Sequence, residues 1–334
     1  MILVTGGTGM LGSHLLSELT KYNSKVKAIK RKNSNLSIIY SVFKIYNKNY
    51  EELLKKIEWI DADITDYESI IEEFTDITEV YHCAAFVSFQ KKDKNKIFET
   101  NIKGTANIVN ACLEKKVNFL CYVSSVAALG HENELGFVDE GFTKINLKKT
   151  SKYSQSKYLA EYEVWRGISE GLNAVIVNPS VIIGLGNWSE GSASFIKTVH
   201  QGLKFYSNGI TGFVDVIDVV SIMLELSKQK ISGERFILNS ENISYKKLFE
   251  IIADNLNCKA PSINANRFLL YTAFLLDRIG SILLFKKQKL SVDIINSAFS
   301  KSLYSSKKIE DKLNFKFLSI SKSIEKTAKI YLTQ

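Results

Sequence analysis

Met1-Ile2-Leu3-Val4-Thr5-Gly6-Gly7-Thr8-Gly9-Met10-Leu11-Gly12 is the stretch on which the fold turns. Met1 to Thr5 is an apolar run of the kind that forms a parallel strand buried on both faces. Glycines at 6, 9 and 12 follow, and His14-Leu15-Leu16 with Leu19 begins a helical period at once. A strand that turns tightly into a helix N-terminus offers backbone N–H groups to an anion. Glycine permits the turn and lets backbone and anion approach each other. Set between strand and helix, this spacing points to the pyrophosphate of a dinucleotide rather than to an ordinary strand–helix turn.

Outward from that turn, the same alternation repeats. Val26 to Arg31, Ile57 to Ala62, Val80 to Ala84, Phe119 to Ser124 and Ala174 to Asn178 read as further strands, with Pro179 ending the last. Glu51 to Lys56, residues 93–115 and about Lys152 to Gly171 read as helices, and residues 32–50 as a polar connection carrying an aromatic patch at Tyr40, Phe43 and Tyr46. Alternating strands and helices imply right-handed crossovers and a parallel sheet covered on both faces. The expected fold class is α/β, a Rossmann-type doubly wound parallel sheet. After residue 180 the rhythm changes: short apolar runs (Phe213 to Val216, Arg235 to Leu238) sit among helices at 218–229 and 244–256. The expected division is a dinucleotide-binding domain over 1–180, its core continuing in part beyond, and a smaller, mostly helical mixed α/β lobe over 181–334 for the substrate.

Bulk properties narrow the choice. The chain has 334 residues, 45% of them hydrophobic, enough for a sizeable core. A strand beginning at residue 2 leaves no room for a leader peptide, so the expected location is cytoplasmic. Cys83, Cys112, Cys121 and Cys258 form no CxxC pair and no zinc spacing, which reads as reduced thiols and no metal. The net charge of +9 is spread over scattered lysines with no arginine–aromatic cluster, unlike a localised nucleic-acid footprint. No specific nucleic acid is therefore expected. Leu269 to Phe285 is the most apolar stretch, but Asp277 and Arg278 interrupt it. It is too short and too charged to span a bilayer and reads as an amphipathic helix closing the smaller lobe, with a membrane-surface or dimer face as alternatives.

Chemistry enters at Tyr153-Ser154-Gln155-Ser156-Lys157. Tyrosine and lysine four apart share one helix face, about 6 Å apart along the axis. An ammonium at that distance is expected to lower the phenol's pKa, and a phenol so tuned exchanges a proton with a carbonyl or alcohol oxygen. Val123-Ser124-Ser125 ends a strand at the sheet's ligand edge, where a serine hydroxyl can orient the reacting oxygen.

Together with these segments, Ala62-Asp63-Ile64-Thr65-Asp66, His82-Cys83-Ala84-Ala85, Asn101-Ile102-Lys103-Gly104-Thr105 and Asn178-Pro179-Ser180-Val181-Ile182-Ile183-Gly184 make the chain resemble an extended short-chain dehydrogenase/reductase. Phe213-Val214-Asp215-Val216 and Gly233-Glu234-Arg235-Phe236 carry the resemblance into the smaller lobe. Within that superfamily the chain looks most like the branch of dihydroflavonol reductase, cinnamoyl-CoA reductase and 3β-hydroxysteroid dehydrogenase, and is similar to proteins grouped as NAD-dependent epimerase/dehydratase. The resemblance implies that Tyr153 is the acid/base, that Lys157 stands beside it, and that Ser125 polarises the substrate oxygen. Ser125 is preferred to Ser124 because Gly130 follows five residues on, as in the family's serine turn. The resemblance further implies that Thr5, Gly6, Gly9, Met10, Leu11 and Gly12 hold the pyrophosphate, Asp63 and Ile64 flank the adenine, and Ala84 and Ala85 line the ribose side. Pro179 and Ser180 should pass the nicotinamide carboxamide. Asn101 should steady the active-site helix or a water, with ordinary packing as the alternative for it and for His82. Phe86, Ser88, Phe89, Asn178 and Trp188 are candidate substrate-side residues, as against core packing.

The end of the second strand bears on the cofactor. An acidic residue there would accept bonds from a ribose 2′-hydroxyl, yet none occurs between Glu18 and Glu51. Lys30-Arg31-Lys32 stands there instead, favouring the 2′-phosphate of NADP(H), with NAD(H) the other candidate. The leading expectation is an NADP(H)-dependent carbonyl reductase or alcohol dehydrogenase, a homodimer acting on a small carbonyl or alcohol. A nucleotide-sugar epimerase with tightly bound NAD is the second reading. A non-catalytic cofactor sensor or RNA-binding relative is the third.

Overall fold

Alternate strand residues face opposite ways, and here both faces are apolar, so each strand must be covered twice. Val4, Val26, Ala28, Tyr81, Cys121 and Val175 look into one core; Leu3, Ile29, Val80, Leu120, Tyr122 and Ile176 look into the other. A computed structural model describes residues 1–130, 136–141, 146–147, 150–283 and 291–334. Its strands are β1 (Ile2–Thr5), β2 (Val26–Lys30), β3 (Ile57–Asp61), β4 (Glu79–His82), β5 (Phe119–Val123), β6 (Ala174–Pro179), β7 (Val181–Ile183), β8 (Phe205–Tyr206), β9 (Ile210–Asp215), β10 (Glu234–Leu238), β11 (Glu241–Ser244) and β12 (Ile263–Asn264).

Seven of them form one parallel sheet in the order β10-β6-β5-β4-β1-β2-β3. The strand order reverses between β1 and β4, and an open sheet of this kind opens a crevice for ligands at that reversal, beyond the strands' C-terminal ends. This is the doubly wound Rossmann-type sheet expected from the sequence. Helices Met10–Tyr22 and Val216–Lys228 cover one face, and Gly104–Glu114 and Lys152–Ser169 the other. Helix Val216–Lys228 and β10 come from chain beyond residue 180, so the large sheet closes with late sequence.

The chain between β6 and β10 also starts the smaller lobe. β9 pairs antiparallel with β11 and parallel with β7. Helices Ser194–His200, Tyr245–Asn255 and Ile320–Leu332 pack on this sheet around Phe213, Leu248, Ile252 and Ile324.

Two elements differ from the sequence reading. Residues 37–46 form a helix, not an irregular connection: Ile39, Val42 and Phe43, at helical spacing, are buried against the first core. The long helix read over 93–115 is interrupted. It runs as Lys94–Phe98, a single π turn at Glu99–Lys103, then Gly104–Glu114. The apolar stretch from Leu269 lies in helix Arg267–Leu283, and its last two residues, Leu284 and Phe285, fall outside the described residues.

Candidate active site

The glycine turn is set by main-chain crowding. Gly6 has φ +71°, and a Cβ there would stand 2.6 Å from the Ala84 nitrogen. A Cβ on Gly12 would run into the Gly6 carbonyl oxygen. Gly9 is different: its Cβ would meet only that oxygen, at 3.4 Å. Gly9 is the N-cap of helix Met10–Tyr22 and offers no side-chain acceptor to the first turn, whose Met10, Leu11 and Gly12 supply the unpaired N–H groups. Such a helix end fits an anionic bridge between two nucleotides. Thr5 closes the turn from behind, accepting from the Ala84 N–H at 3.2 Å. The Met10 side chain lies against Gly186, in the loop after β7.

The candidate proton-handling groups meet at the C-terminal end of β5 and the N-terminal end of helix Lys152–Ser169. Ser151 caps that helix, its hydroxyl accepting from the Ser154 N–H at 3.0 Å, which places Tyr153 in the first turn. Ser125 opens a tight turn over Val126–Ala128, with its Oγ accepting from the Ala127 N–H at 3.1 Å. Desolvation pushes the Tyr153 pKa above its ordinary value, and a hydrogen bond from Ser125 pulls the other way. Lys157 is buried; its Nζ donates to the Val123 carbonyl at 2.8 Å and stands 5.1 Å from the Tyr122 ring centre. Burial lowers its pKa to about 8, with Glu161 opposing. The expected lowering of the phenol by the ammonium is thus not the outcome: burial dominates both groups and favours the neutral form of each.

Behind the trio, Asn101 sits in the π turn, a feature often found at functional sites. Its Oδ1 accepts from the Phe86 N–H at 2.7 Å; its Nδ2 donates to the Phe86 carbonyl at 3.1 Å and to Ser156 Oγ at 2.9 Å. Ser156 in turn donates to the Tyr153 carbonyl at 2.7 Å. Asn101 is thereby bonded to helix Lys152–Ser169 through Ser156. His82 joins the same fabric. Thr105 donates to the Asn101 carbonyl at 2.6 Å, so its oxygen accepts from His82 Nε2 at 3.0 Å, and His82 Nδ1 accepts from Thr5 Oγ1 at 2.6 Å. Burial holds the His82 pKa down at about 3, which keeps the ring neutral in that tautomer.

Other expected residues fall as follows. Arg31 and Lys32 are exposed just beyond β2, where the Arg31 N–H donates to Ser34 Oγ at 3.1 Å. Asp61, at the end of β3, comes beside this strand end but is ion-paired with Lys30. Asp63 is exposed and accepts from the Thr65 N–H and hydroxyl at 3.0 and 2.9 Å, while Ile64 is buried against Gly104. Ala84 and Ala85 are half-buried. Pro179 ends β6, and Ser180 bonds the Leu238 carbonyl through both N (3.0 Å) and Oγ (3.2 Å). Phe89 meets Tyr153 edge to face at 5.8 Å, Phe86 lies under the Lys96 ammonium at 4.6 Å, and Ser88 donates to Asp93 at 2.6 Å. Two substrate candidates are engaged elsewhere. Asn178 is wholly buried and donates to the Ser125 carbonyl and to Glu161. Trp188 packs on Tyr331, and its Nε1 donates to Gln334 at 2.7 Å, tying it to the C-terminal helix. Sequence reading gives no site role to Glu161 or Arg235, a buried ion pair behind Lys157. Their signals were a carboxylate one turn past Lys157 and an arginine inside an apolar strand. Among the described residues no cluster of His, Cys, Asp or Glu could hold a metal.

The chain has known relatives. The family model described as "NAD dependent epimerase/dehydratase family" matches residues 2–238. The chain belongs to that family. Its relatives include a putative dihydroflavonol 4-reductase of Synechocystis, 29% identical over 265 residues that cover 77% of this chain and 73% of that protein. Anthocyanidin reductase of Arabidopsis thaliana is 30% identical over 284 residues, 78% of this chain and 81% of that one. The UDP-glucose 4-epimerase of Thermotoga maritima superposes with a TM-score of 0.76 at 20% identity, covering 99% of this chain and 98% of that one, and shares the fold. Membership makes this epimerase/dehydratase-family protein an NAD(P)-dependent oxidoreductase of the extended short-chain dehydrogenase/reductase type. Among the described residues no helix is long and apolar enough to cross a membrane.

Proposed function

We propose that the enzyme is an NADP(H)-dependent carbonyl reductase, working also as an alcohol dehydrogenase, with Ser125, Tyr153 and Lys157 as its catalytic residues. The bound nicotinamide supplies the hydride. Ser125 orients the substrate oxygen, and Tyr153 gives that oxygen its phenolic proton, so a carbonyl, a hydride and a proton become an alcohol. A phenol whose pKa is raised by burial holds that proton at neutral pH, which suits reduction. The N–H groups of Lys157 not used on Val123 are free to reach ribose hydroxyls, and its charge steadies the phenolate left behind.

The observation that carries this reading is the approach of two segments: Ser125 at the end of β5, Tyr153 in the first turn of helix Lys152–Ser169, and the Lys157 amine buried one helical turn on and bonded to the Val123 carbonyl. Two further features support its details. Arg31 and Lys32 form an exposed basic tip beyond β2, and Asp61, opposite Lys30 on β3, is already paired with it, which favours a 2′-phosphate over a bare hydroxyl. Phe89 against Tyr153 favours an apolar carbonyl over a sugar diphosphate. The smaller lobe over 181–334 is assigned to the substrate. Val126 and Ala127 fill the turn after Ser125, leaving no carboxylate there for a dehydration step.

The test is a panel of aldehydes and ketones offered to the purified protein with NADPH and with NADH. Oxidation of NADPH by at least one apolar carbonyl, faster than of NADH, is expected. Copurifying NAD with no net turnover would replace this reading with the epimerase one.

A further inference from the structure

One turn beyond Lys157, on the same helix face, Glu161 is buried in a polar cluster of its own. Its Oε2 lies 3.0 Å from Nη1 of Arg235 on β10, with side-chain exposures of only 3% and 6%. Its Oε1 accepts a 2.6 Å bond from Nδ2 of Asn178 on β6, and the same amide donates to the Ser125 carbonyl at 3.0 Å. Arg235 also holds the carbonyls of Glu140 (3.0 Å, from Nε) and Gly141 (2.8 Å, from Nη2), in the segment that precedes the Tyr153 helix. The cluster thus reaches Ser125 through Asn178 and Lys157 along the helix.

Burying two charges costs several kcal/mol per ion in desolvation, so such a pair is a poor device for stability alone. Its position gives it another use. Lys157 is faced by Glu161 from its own helix, where Tyr153 stands one turn before it, by the Tyr122 ring from β5, by His82 at the end of β4 and by Cys83 just beyond it. His82 is neutral above about pH 3, and burial pushes the Cys83 thiol up to about 12. Burial likewise raises the Tyr122 and Tyr153 phenols. Near neutral pH the Glu161 carboxylate is therefore the anion that faces the Lys157 ammonium. Glu161 is itself faced by Arg235 and by Tyr158.

We propose that Glu161, clamped by Arg235 and Asn178, is a positioning residue that keeps Lys157 charged in a dry site and holds the Ser125 turn in place. The inference rests on the reading of Tyr153 and Lys157 given above. It adds that the working range of the enzyme on the alkaline side is set from outside the trio, and that two substitutions in one ion pair move it in opposite directions. Glu161→Gln takes away the anion beside Lys157, so the amine loses its proton more easily. Arg235→Gln leaves the carboxylate unopposed, so the amine keeps its proton longer.

The experiment is the pH profile of NADPH-linked turnover from about pH 6 to about pH 10 in the full-length enzyme and both variants. In the unaltered enzyme the alkaline limb should fall near pH 8, as Lys157 deprotonates. In Glu161→Gln the limb should move down by about one unit, and in Arg235→Gln up by about half a unit. A limb that stays in place in either variant while kcat falls would overturn the proposal and leave the pair a purely structural role. Should Glu161→Gln fail to fold, Arg235→Gln decides alone through the sign of its shift. Absence of turnover in the unaltered enzyme would instead refute the reductase reading.

Discussion

Around β1 and β4 the turns are held by main-chain contacts, whereas along helix Arg267–Leu283 large apolar side chains stand in solvent. Gly6 lies against Ala84, Gly12 against Gly6, and Asn101 spends its whole amide on Phe86 and Ser156. In the other region Phe268 is 77% exposed and Leu276 70%. The first arrangement leaves almost no choice of residue, because a side-chain carbon or a lost amide collides with backbone or strands a buried polar group. The second tolerates many residues, because little packs on it. A chain built this way announces the glycine-turn half through residue identity and leaves the other half, the one proposed for the substrate, to surface shape, which short motifs do not encode.

Gly12→Ala should give the largest effect on the fold itself. The added carbon has no room, so destabilisation of about 3 kcal/mol and loss of dinucleotide binding are expected, read by thermal melting and cofactor titration. Gly9→Ala, whose carbon has more space, should keep the fold but weaken the cofactor; equal destabilisation of both variants would break the distinction drawn within the turn. Arg31→Ala should come next. Loss of a charge-assisted contact to the 2′-phosphate should weaken NADPH by about tenfold and leave NADH unchanged. An equal loss for both cofactors would mean that the basic strand end does not read the phosphate. Phe268→Ser should give the smallest effect, within about 0.5 kcal/mol by melting, as for other exposed positions. A larger loss would show that the two regions are built more alike than their exposure indicates.

The same contrast explains what could be read beforehand. Six of the seven strands of the large sheet, β1 to β6, were legible because burial on both faces demands apolar runs between helices; β10 reads in the sequence only as a short apolar run beyond residue 180, and the fold alone carries it back beside β6. Tyr153, Lys157 and Ser125 were legible because their spacing sits on a helix face and a strand end. Helix Ser37–Tyr46 was not, since its N-cap is Leu36, which gives no side-chain cap, and polar stretches on either side of the helix hide its period. The π turn at Glu99–Lys103 accompanies bonds from Asn101 to Phe86 and Ser156, partners far along the chain. The direction of the Tyr153 shift depends on how dry the site is, which spacing alone does not give. Glu161 and Arg235 lie 74 residues apart, and only the fold brings them together.

Turnover of a carbonyl substrate with NADPH, compared between the enzyme and Tyr153→Phe, tests the central claim most directly. Removing the phenolic hydroxyl should cut kcat by at least about 100-fold while NADPH affinity barely changes. Undiminished kcat in that variant would show that the proton comes from elsewhere and would contradict the account.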